Sequence, residues 1–412
     1  MDKSEVGQLH STATRGEKLQ ILLVVNLAWD PRLGAVRVFM ELAEQWRAAG
    51  HIVETYSASD AFPVNRSWPA LAAIRQLFFG YKAASFVRKN YGRFDVVDAL
   101  IGSLHGSKES LKLSGLLVAR SVGLYLLYER FDHEAQRRWP SVRGKVLTGM
   151  FYDTVSRWFN RLSNAAVRRA DVINLPNEEE KQCIQREGIS ENSITIQPYG
   201  LSLECRETLA QAAAPAETRL PLGQVSFLGM WAPRKGSRDW PNILRLVWQQ
   251  MPEARFCFLG TMVEPDKVLQ DLGLKFSEQI EVVSHYSQDN LPALLGPCAV
   301  GAFPSYVEGF GIAVLEQLAS GIPTVAFDVA GPRDMLRHVS TELLVPVGDV
   351  QKFADALIRI LRSDLTVYRD LSGRCREAAL RFDWTKIARD TADTYRAHLA
   401  GITIARSSNH AS

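Results

Sequence analysis

A chain of 412 residues with 46% hydrophobic content is long enough for two or three domains with sizeable cores. Its formal net charge of +3 is too small to argue for nucleic acid as a partner. Its five cysteines are scattered without a CxxC or a metal-ligand spacing, which reads as a reduced, cytoplasmic protein, and no apolar run has the length of a membrane span.

Residues 1–17 are polar, lack the apolar core of a signal peptide and read as a disordered tail. Lys18–Asn26 is a buried strand, Leu27–Gly34 a loop, Val36–Ala49 an amphipathic helix stopped by Gly50, and His51–Tyr56 the next strand. That order is a βαβ start. Residues 64–93 mix aromatic and basic side chains. Trp68, Leu71, Ile74, Phe78, Phe79, Tyr81 and Phe86 are expected on one side, and Arg66, Arg75, Lys82, Arg88 and Lys89 on another. The stretch reads as a helix pair with a solvated basic face, or as a face for an anionic membrane or lipid-linked acceptor. Residues 137–169 repeat the theme, with Arg137, Arg138, Arg143, Lys145, Arg157, Arg161, Arg168 and Arg169 among Trp139, Phe151 and Trp158.

Phe94–Leu100 and Gly123–Tyr128 are expected as strands, the second running into Glu129-Arg-Phe-Asp-His133. Arg168–Leu175 reads as a helix end and short strand, Asn177 as the N-cap of a helix, and Ser193–Pro198 as a further strand. Residues 205–220, rich in Ala and Pro, fit a linker. A second βα series follows. Its strands are expected at Val225–Gly229, Arg255–Gly260, Ile280–Ser284, Ala299–Phe303, Thr324–Phe327 and Leu343–Pro346. Helices are expected over 239–250, 289–295, 350–363, 364–382 and 384–399. Two doubly wound parallel-sheet domains facing across a cleft are the natural architecture.

The stretch Pro304–Asp334, PSYVEGFGIAVLEQLASGIPTVAFDVAGPRD, carries the chemistry. Glu308 precedes a glycine pair around one aromatic, Gly309-Phe310-Gly311, and an apolar helix containing Glu316 follows. Small residues before a helix let a ligand approach unpaired backbone amides, which favour a phosphate. Carboxylates accept paired hydrogen bonds from vicinal hydroxyls, so the two acids suit sugar rings on either side of that phosphate. Ala330-Gly331-Pro332 reads as a tight loop. Arg234 and Lys235, on a strand-to-helix loop, are the cations that a departing diphosphate needs.

Glu308 and Glu316, with seven residues between them and the flanks PS..EGFG...LE..A.G.P.VA, resemble the Glu-x7-Glu motif of family 4 retaining glycosyltransferases of the GT-B fold. The resemblance implies an α/β fold of two Rossmann-like domains. It divides the chain into an acceptor domain over 18–204, a linker over 205–220 and a nucleotide-sugar donor domain over 221–382. A helix over 383–400 would then cross back to the first domain, before a tail over 401–412. Glu308 would face the transferred sugar beside the amides of Gly309, Phe310 and Gly311, and Glu316 would hold the ribose. Lys235 and Arg234 would stabilise the diphosphate, Gly34 would face the donor phosphates, and Gly260, Thr261 and Tyr286 would lie near the nucleoside. His133 is the nearest candidate for the histidine that relatives carry at a strand end beside the reacting sugar. No metal or other cofactor is implied, only a nucleotide-diphosphate sugar as co-substrate. The acceptor would be a glycan, lipid-linked glycan or polysaccharide, and 64–93 and 137–169 would give contact with the inner face of an anionic membrane.

Three positions depart from the family pattern: Ala35 replaces a usual second glycine, Met230 replaces a usual arginine, and His133 comes one or two residues late. They leave open a catalytically weak binding or scaffold subunit. A GT-B nucleotide-sugar epimerase shares the cleft but usually lacks the EGFG-to-Glu pattern.

Overall fold

The computed structural model describes residues 18–31, 33–63, 69–139, 158 and 160–409. The tail expected over 1–17 and the parts of the basic–aromatic stretches at 64–68 and 140–157 lie outside the described residues.

Among the described residues, twelve strands form two parallel sheets of six. The first sheet has β1 (Gln20–Val25), β2 (Ile52–Ser57), β3 (Val96–Leu100), β4 (Leu116–Arg120), β5 (Val172–Leu175) and β6 (Ile194–Ile196), in the order β2-β1-β3-β4-β5-β6. The second has β7 (Gln224–Leu228), β8 (Arg255–Leu259), β9 (Ile280–Val283), β10 (Val300–Phe303), β11 (Thr324–Phe327) and β12 (Leu344–Val345), in the order β12-β11-β10-β7-β8-β9. The central strands are apolar runs buried on both faces, as parallel sheets require: Ile21–Val25 in β1 and Val300–Phe303 in β10 are all buried.

The helices of the first half are α1 (Gly34–Ala48), α2 (Ala58–Ala61), α3 (Pro69–Lys89), α4 (Lys108–Leu111), α5 (Tyr125–Arg138), α6 (160–169) and α7 (Glu178–Arg186). Next come α8 (Leu203–Ala212), α9 (Ala216–Leu222), α10 (Trp240–Gln250), α11 (Pro265–Asp271), α12 (Leu291–Leu295) and α13 (Ile312–Ala319). The chain closes with α14 (Ala330–Leu336), α15 (Val350–Leu361), α16 (Leu365–Ala379) and α17 (Trp384–Asn409). In α1, Phe39, Leu42, Ala43 and Trp46 recur every three or four residues and form its buried stripe.

Several expectations are corrected. Gly123–Tyr128 is not a strand. The strand is β4, and the run after it opens α5, because Leu124, Leu127, Tyr128 and Phe131 repeat with the period of a helix. Residues 205–220, expected as a linker, are mostly helical, lying in α8, α9 and the turn between them. Ser202 caps α8, and Arg219 is buried with its guanidinium on the Ser320 carbonyl, the Gly321 carbonyl and Ser372 Oγ. Ala330-Gly331-Pro332 is the first turn of α14, where a proline costs no helical hydrogen bond. Over 69–89 there is one helix, not a pair. Phe79 is buried, while Phe78 and Tyr81 share the solvent with Arg88 and Lys89 instead of opposing them. The helix α17 extends through much of the expected tail.

α17 runs back across the first sheet. Trp46 Nε1 donates to the Ala388 carbonyl at 2.8 Å. The Tyr395 hydroxyl donates to Asp98 Oδ2 at 2.7 Å and accepts from Arg120 Nη2 at 2.9 Å. Asp98, Arg120 and Tyr395 are all buried, so this network is closed to water.

Candidate active site

Renumbered from its own first strand, the second sheet has the order 3-2-1-4-5-6, which reverses between β7 and β10. Ligands of doubly wound sheets bind outside the carboxyl ends of the strands at that reversal. The loop after β7 carries Arg234 and Lys235, and the loop after β10 carries Glu308 to Gly311. The fold therefore joins the two halves of the sequence pattern.

Lys235 Nζ is ion-paired and hydrogen-bonded to Glu308 Oε2, and both side chains are mostly buried. The ammonium also lies 4.9 Å from the centre of the Phe303 ring. Burial pulls the Lys235 pKa below its usual value, with Glu308 opposing the shift. Arg234 stacks over the Tyr128 ring at 5.5 Å, and its Nη2 is 3.2 Å from Met230 Sδ. Burial, and then Glu308, push the Tyr128 hydroxyl well above the usual range for tyrosine.

Gly311 has φ +86° and serves as N-cap of α13 without a side-chain cap, so the leading amides of the helix stay available. Gly309 lies against the other domain: a Cβ there would come 2.8 Å from Gly123 Cα. Between them, Phe310 is buried against Tyr199 and Phe382, which fixes the loop from below.

Glu316 is 3% exposed and takes a 2.5 Å ion pair from Arg37 of α1, across the cleft. Burial draws the Arg37 pKa down, but the Glu316 carboxylate and its hydrogen bond outweigh burial and hold it above its usual value. Tyr286 lies in the field of the same carboxylate, and a Cβ on Gly260 would meet its ring at 2.9 Å. Thr261 is fully buried, with its hydroxyl donated to the Val263 carbonyl. Gly34 begins α1, one turn before Arg37.

His133 is not brought into this group at a strand end. It sits in the third turn of α5 with its ring exposed, because the preceding segment is helical. Its neighbour Asp132 is the group that feels Arg234.

Sequence reasoning did not single out Arg37, Tyr128 or a buried carboxyl at Glu180. Glu180 accepts hydrogen bonds from Ser121 Oγ at 2.5 Å and the Leu124 amide at 3.1 Å, and so holds the loop after β4. Burial pushes its pKa up to about 7. Asn177, expected as an N-cap, does cap α7 through the Glu180 amide, and its Nδ2 also donates to the Gly309 carbonyl. Near the ends of β1 and β2, a cavity of about 250 Å³ is lined by Asn26, Ser59, Phe62, Arg75, Gln76 and Phe79. Among the described residues no group of three or more His, Cys, Asp and Glu is arranged to hold a metal ion.

Residues 223–363 match the family model described as Glycosyl transferases group 1. The chain is 28% identical over 239 residues to a D-inositol 3-phosphate glycosyltransferase of Nocardia farcinica, covering 54% of this chain and 51% of that protein. It is 30% identical over 207 residues to a phosphatidyl-myo-inositol mannosyltransferase of Mycobacterium leprae, covering 50% and 53%. The chain thus spans about half the length of the curated relatives it matches. Among solved structures, a sucrose-phosphate synthase from Thermosynechococcus elongatus superposes with TM-score 0.71 at 19% identity, over 93% of this chain and 100% of that one. Anabaena HepE in complex with UDP and glucose gives TM-score 0.62 at 15% identity, over 91% and 99%. The fold is GT-B, and the segment that matches the family model contains the whole Arg234–Lys235–Glu308–Glu316 group.

Proposed function

We propose that the protein is a retaining glycosyltransferase that moves a sugar from a nucleotide-diphosphate sugar to an acceptor hydroxyl. The observation that carries this reading is the meeting of Lys235, Glu308 and the uncapped start of α13 at the strand-order reversal, with Glu316 further along the same helix. Glu308 accepts hydroxyls of the transferred sugar. The amides at 309–312 and the cations of Arg234 and Lys235 receive the diphosphate. Glu316 takes the ribose diol, and Gly260 and Tyr286 flank the base. The cytoplasm is the compartment that fits five free cysteines.

In the proposed step the bond from C1 to the phosphate oxygen breaks, and a bond from C1 to the acceptor oxygen forms on the same face. The acceptor proton passes to the departing phosphate oxygen, and the nucleoside diphosphate leaves. Lys235 and Arg234 stabilise the charge that develops on that phosphate. Two-carboxylate retention needs a nucleophile close behind the sugar; Glu308 is assigned to the sugar hydroxyls instead. The acceptor is a glycan, lipid-linked glycan or polysaccharide. The cavity beside α3 mixes aromatic and polar groups suited to such a molecule. The exposed face of Phe78, Tyr81, Arg88 and Lys89 suits contact with an anionic membrane. No described helix is long and apolar enough to cross a membrane.

Binding and slow hydrolysis of UDP-, GDP- and ADP-sugars test the reading. One donor should bind. Glu316→Ala should lose that binding, and Glu308→Ala should lose turnover with donor saturated. Unchanged transfer in Glu308→Ala would overturn its assignment. Donor binding without turnover would favour a binding or scaffold subunit, the reading that Met230 supports from its place beside Arg234.

A further inference from the structure

One ion pair crosses the cleft at the carboxylate assigned to the ribose. Arg37 Nη1 lies 2.5 Å from Glu316 Oε1, with the two side chains 12% and 3% exposed. The partners are 279 residues apart and come from opposite domains. If Glu316 accepts a ribose diol, it cannot keep its full interaction with Arg37. A guanidinium does not shed its proton, so it must find another anion where water is largely excluded.

Two candidates lie within reach. Glu41, one turn further along α1, is already in the field of Arg37. The other anion is the diphosphate that arrives with the ribose. Three observations favour the diphosphate. Gly34, one turn before Arg37, is exposed, and a Cβ there would meet nothing within 4 Å, so the start of α1 borders open space. α1 has no side-chain cap and no acidic residue in its first turn, which suits an incoming anion. On the facing wall Lys235 is shared with Glu308, and Met230, a neutral residue, follows the strand-end Gly229. On that wall Arg234, beside the Met230 sulfur and the Tyr128 ring, is left to meet most of the diphosphate charge.

We infer that Arg37 is a donor-phosphate residue supplied by the first domain, which exchanges Glu316 for the diphosphate as the ribose engages. The inference rests on the donor reading above. It assigns one end of the donor to both domains at once, so phosphate binding and domain closure become one event.

The test is calorimetric titration of the full chain with UDP, GDP and ADP and with uridine, guanosine and adenosine. Wild type is compared with Arg37→Gln, Arg37→Lys and Glu316→Gln, with thermal melts as the check on folding. For the nucleotide that wild type binds, Arg37→Gln should weaken the diphosphate about tenfold to a hundredfold, the range of a lost charge-assisted hydrogen bond. The matching nucleoside should change less than about twofold. Arg37→Lys should restore most of the loss, and Glu316→Gln should weaken nucleoside and diphosphate alike. If Arg37→Gln melts early, Arg37→Met, which keeps the packing of the stem, must show the same phosphate-specific loss. Unchanged or tighter diphosphate binding in Arg37→Gln would overturn the inference, since Arg37 would then only compete for Glu316 or turn to Glu41. Equal weakening of nucleoside and diphosphate would overturn it too, leaving Arg37 to position Glu316. If wild type binds none of the nucleotides, the donor reading falls and the inference with it.

Discussion

Behind the loop that faces Gly309, the chain keeps a carboxyl group away from solvent. Glu180 is 0% exposed, and its pKa is pushed up to about 7 by burial, against the hydrogen bonds from Ser121 and Leu124. An acid whose folded pKa is raised contributes stability in its neutral form. That contribution is fully present below about pH 4.5 and is lost as pH rises through about 7. The difference corresponds to about 3 kcal/mol. Glu180→Gln stays neutral throughout and can still exchange hydrogen bonds with the Ser121 hydroxyl. Urea unfolding at about pH 5 and about pH 8 should show wild type losing about 2–3 kcal/mol more than the variant. Parallel behaviour of the two would sink this account of Glu180.

Legibility at this scale followed distance along the chain. Glu308, Gly309, Phe310, Gly311 and Glu316 stand within one strand-loop-helix, so their spacing together with the flanking residues suggested a shared site. Lys235 was readable because a basic pair after a strand has few other uses at that place. Arg37 was not, since its partner is 279 residues away, and an arginine in an amphipathic helix ordinarily faces solvent. The second bond of Asn177, to Gly309, spans 132 residues and left no local trace, whereas its capping role did. Met230 and Arg234 are a mixed case: the substitution was visible, but the contact of the guanidinium with sulfur and the Tyr128 ring was not.

Among the elements, buried strands were the easiest to foresee. β1, β7, β8 and β10 are short, mostly apolar and buried stretches ending at polar or glycine-containing loops, and their expected limits differ from the observed ones by a residue or two. The failures share a cause. Residues 123–128 and 205–220 have compositions that suit more than one state, and tertiary contacts chose helix for most of both. α17 depends on such contacts as well, through the Tyr395 hydroxyl between Asp98 and Arg120. Tyr395→Phe removes that hydroxyl and leaves the remaining pair buried. It should cost about 2 kcal/mol in urea unfolding, the range for hydrogen bonds to charged groups. A loss below about 0.5 kcal/mol would mean that water or a neighbour replaces the hydroxyl.

In the whole molecule, specific polar bridges join the two halves. Arg37 reaches Glu316, Asn177 reaches the Gly309 carbonyl, and Arg333 reaches Glu179 at 3.2 Å. A further bridge stacks Arg138 over Tyr306, whose hydroxyl donates to Asp239 at 2.7 Å. On the outside of the first domain, α3 presents Phe78 and Tyr81, 57% and 59% exposed, together with Arg88 and Lys89. If this face meets an anionic membrane, the protein should sediment with phosphatidylglycerol vesicles and not with phosphatidylcholine vesicles. Attachment should fall between about 0.05 and 0.5 M salt, because charges beyond a Debye length are screened. The pair Phe78→Ser and Tyr81→Ser should reduce it without changing nucleotide binding. Equal attachment to both vesicle types would exclude the electrostatic contact.

The return of α17 to the first sheet also has a consequence for how the protein is made. Tyr395 completes the network of Arg120 from 275 positions downstream. Ribosomes add about 5–20 residues per second, so the two groups emerge on the order of tens of seconds apart. Throughout that interval Asp98, Arg120 and the indole of Trp46 lack the partners that α17 supplies. The first half to be synthesised is therefore the last to be finished, and the surface around these groups is where a nascent chain would need a chaperone.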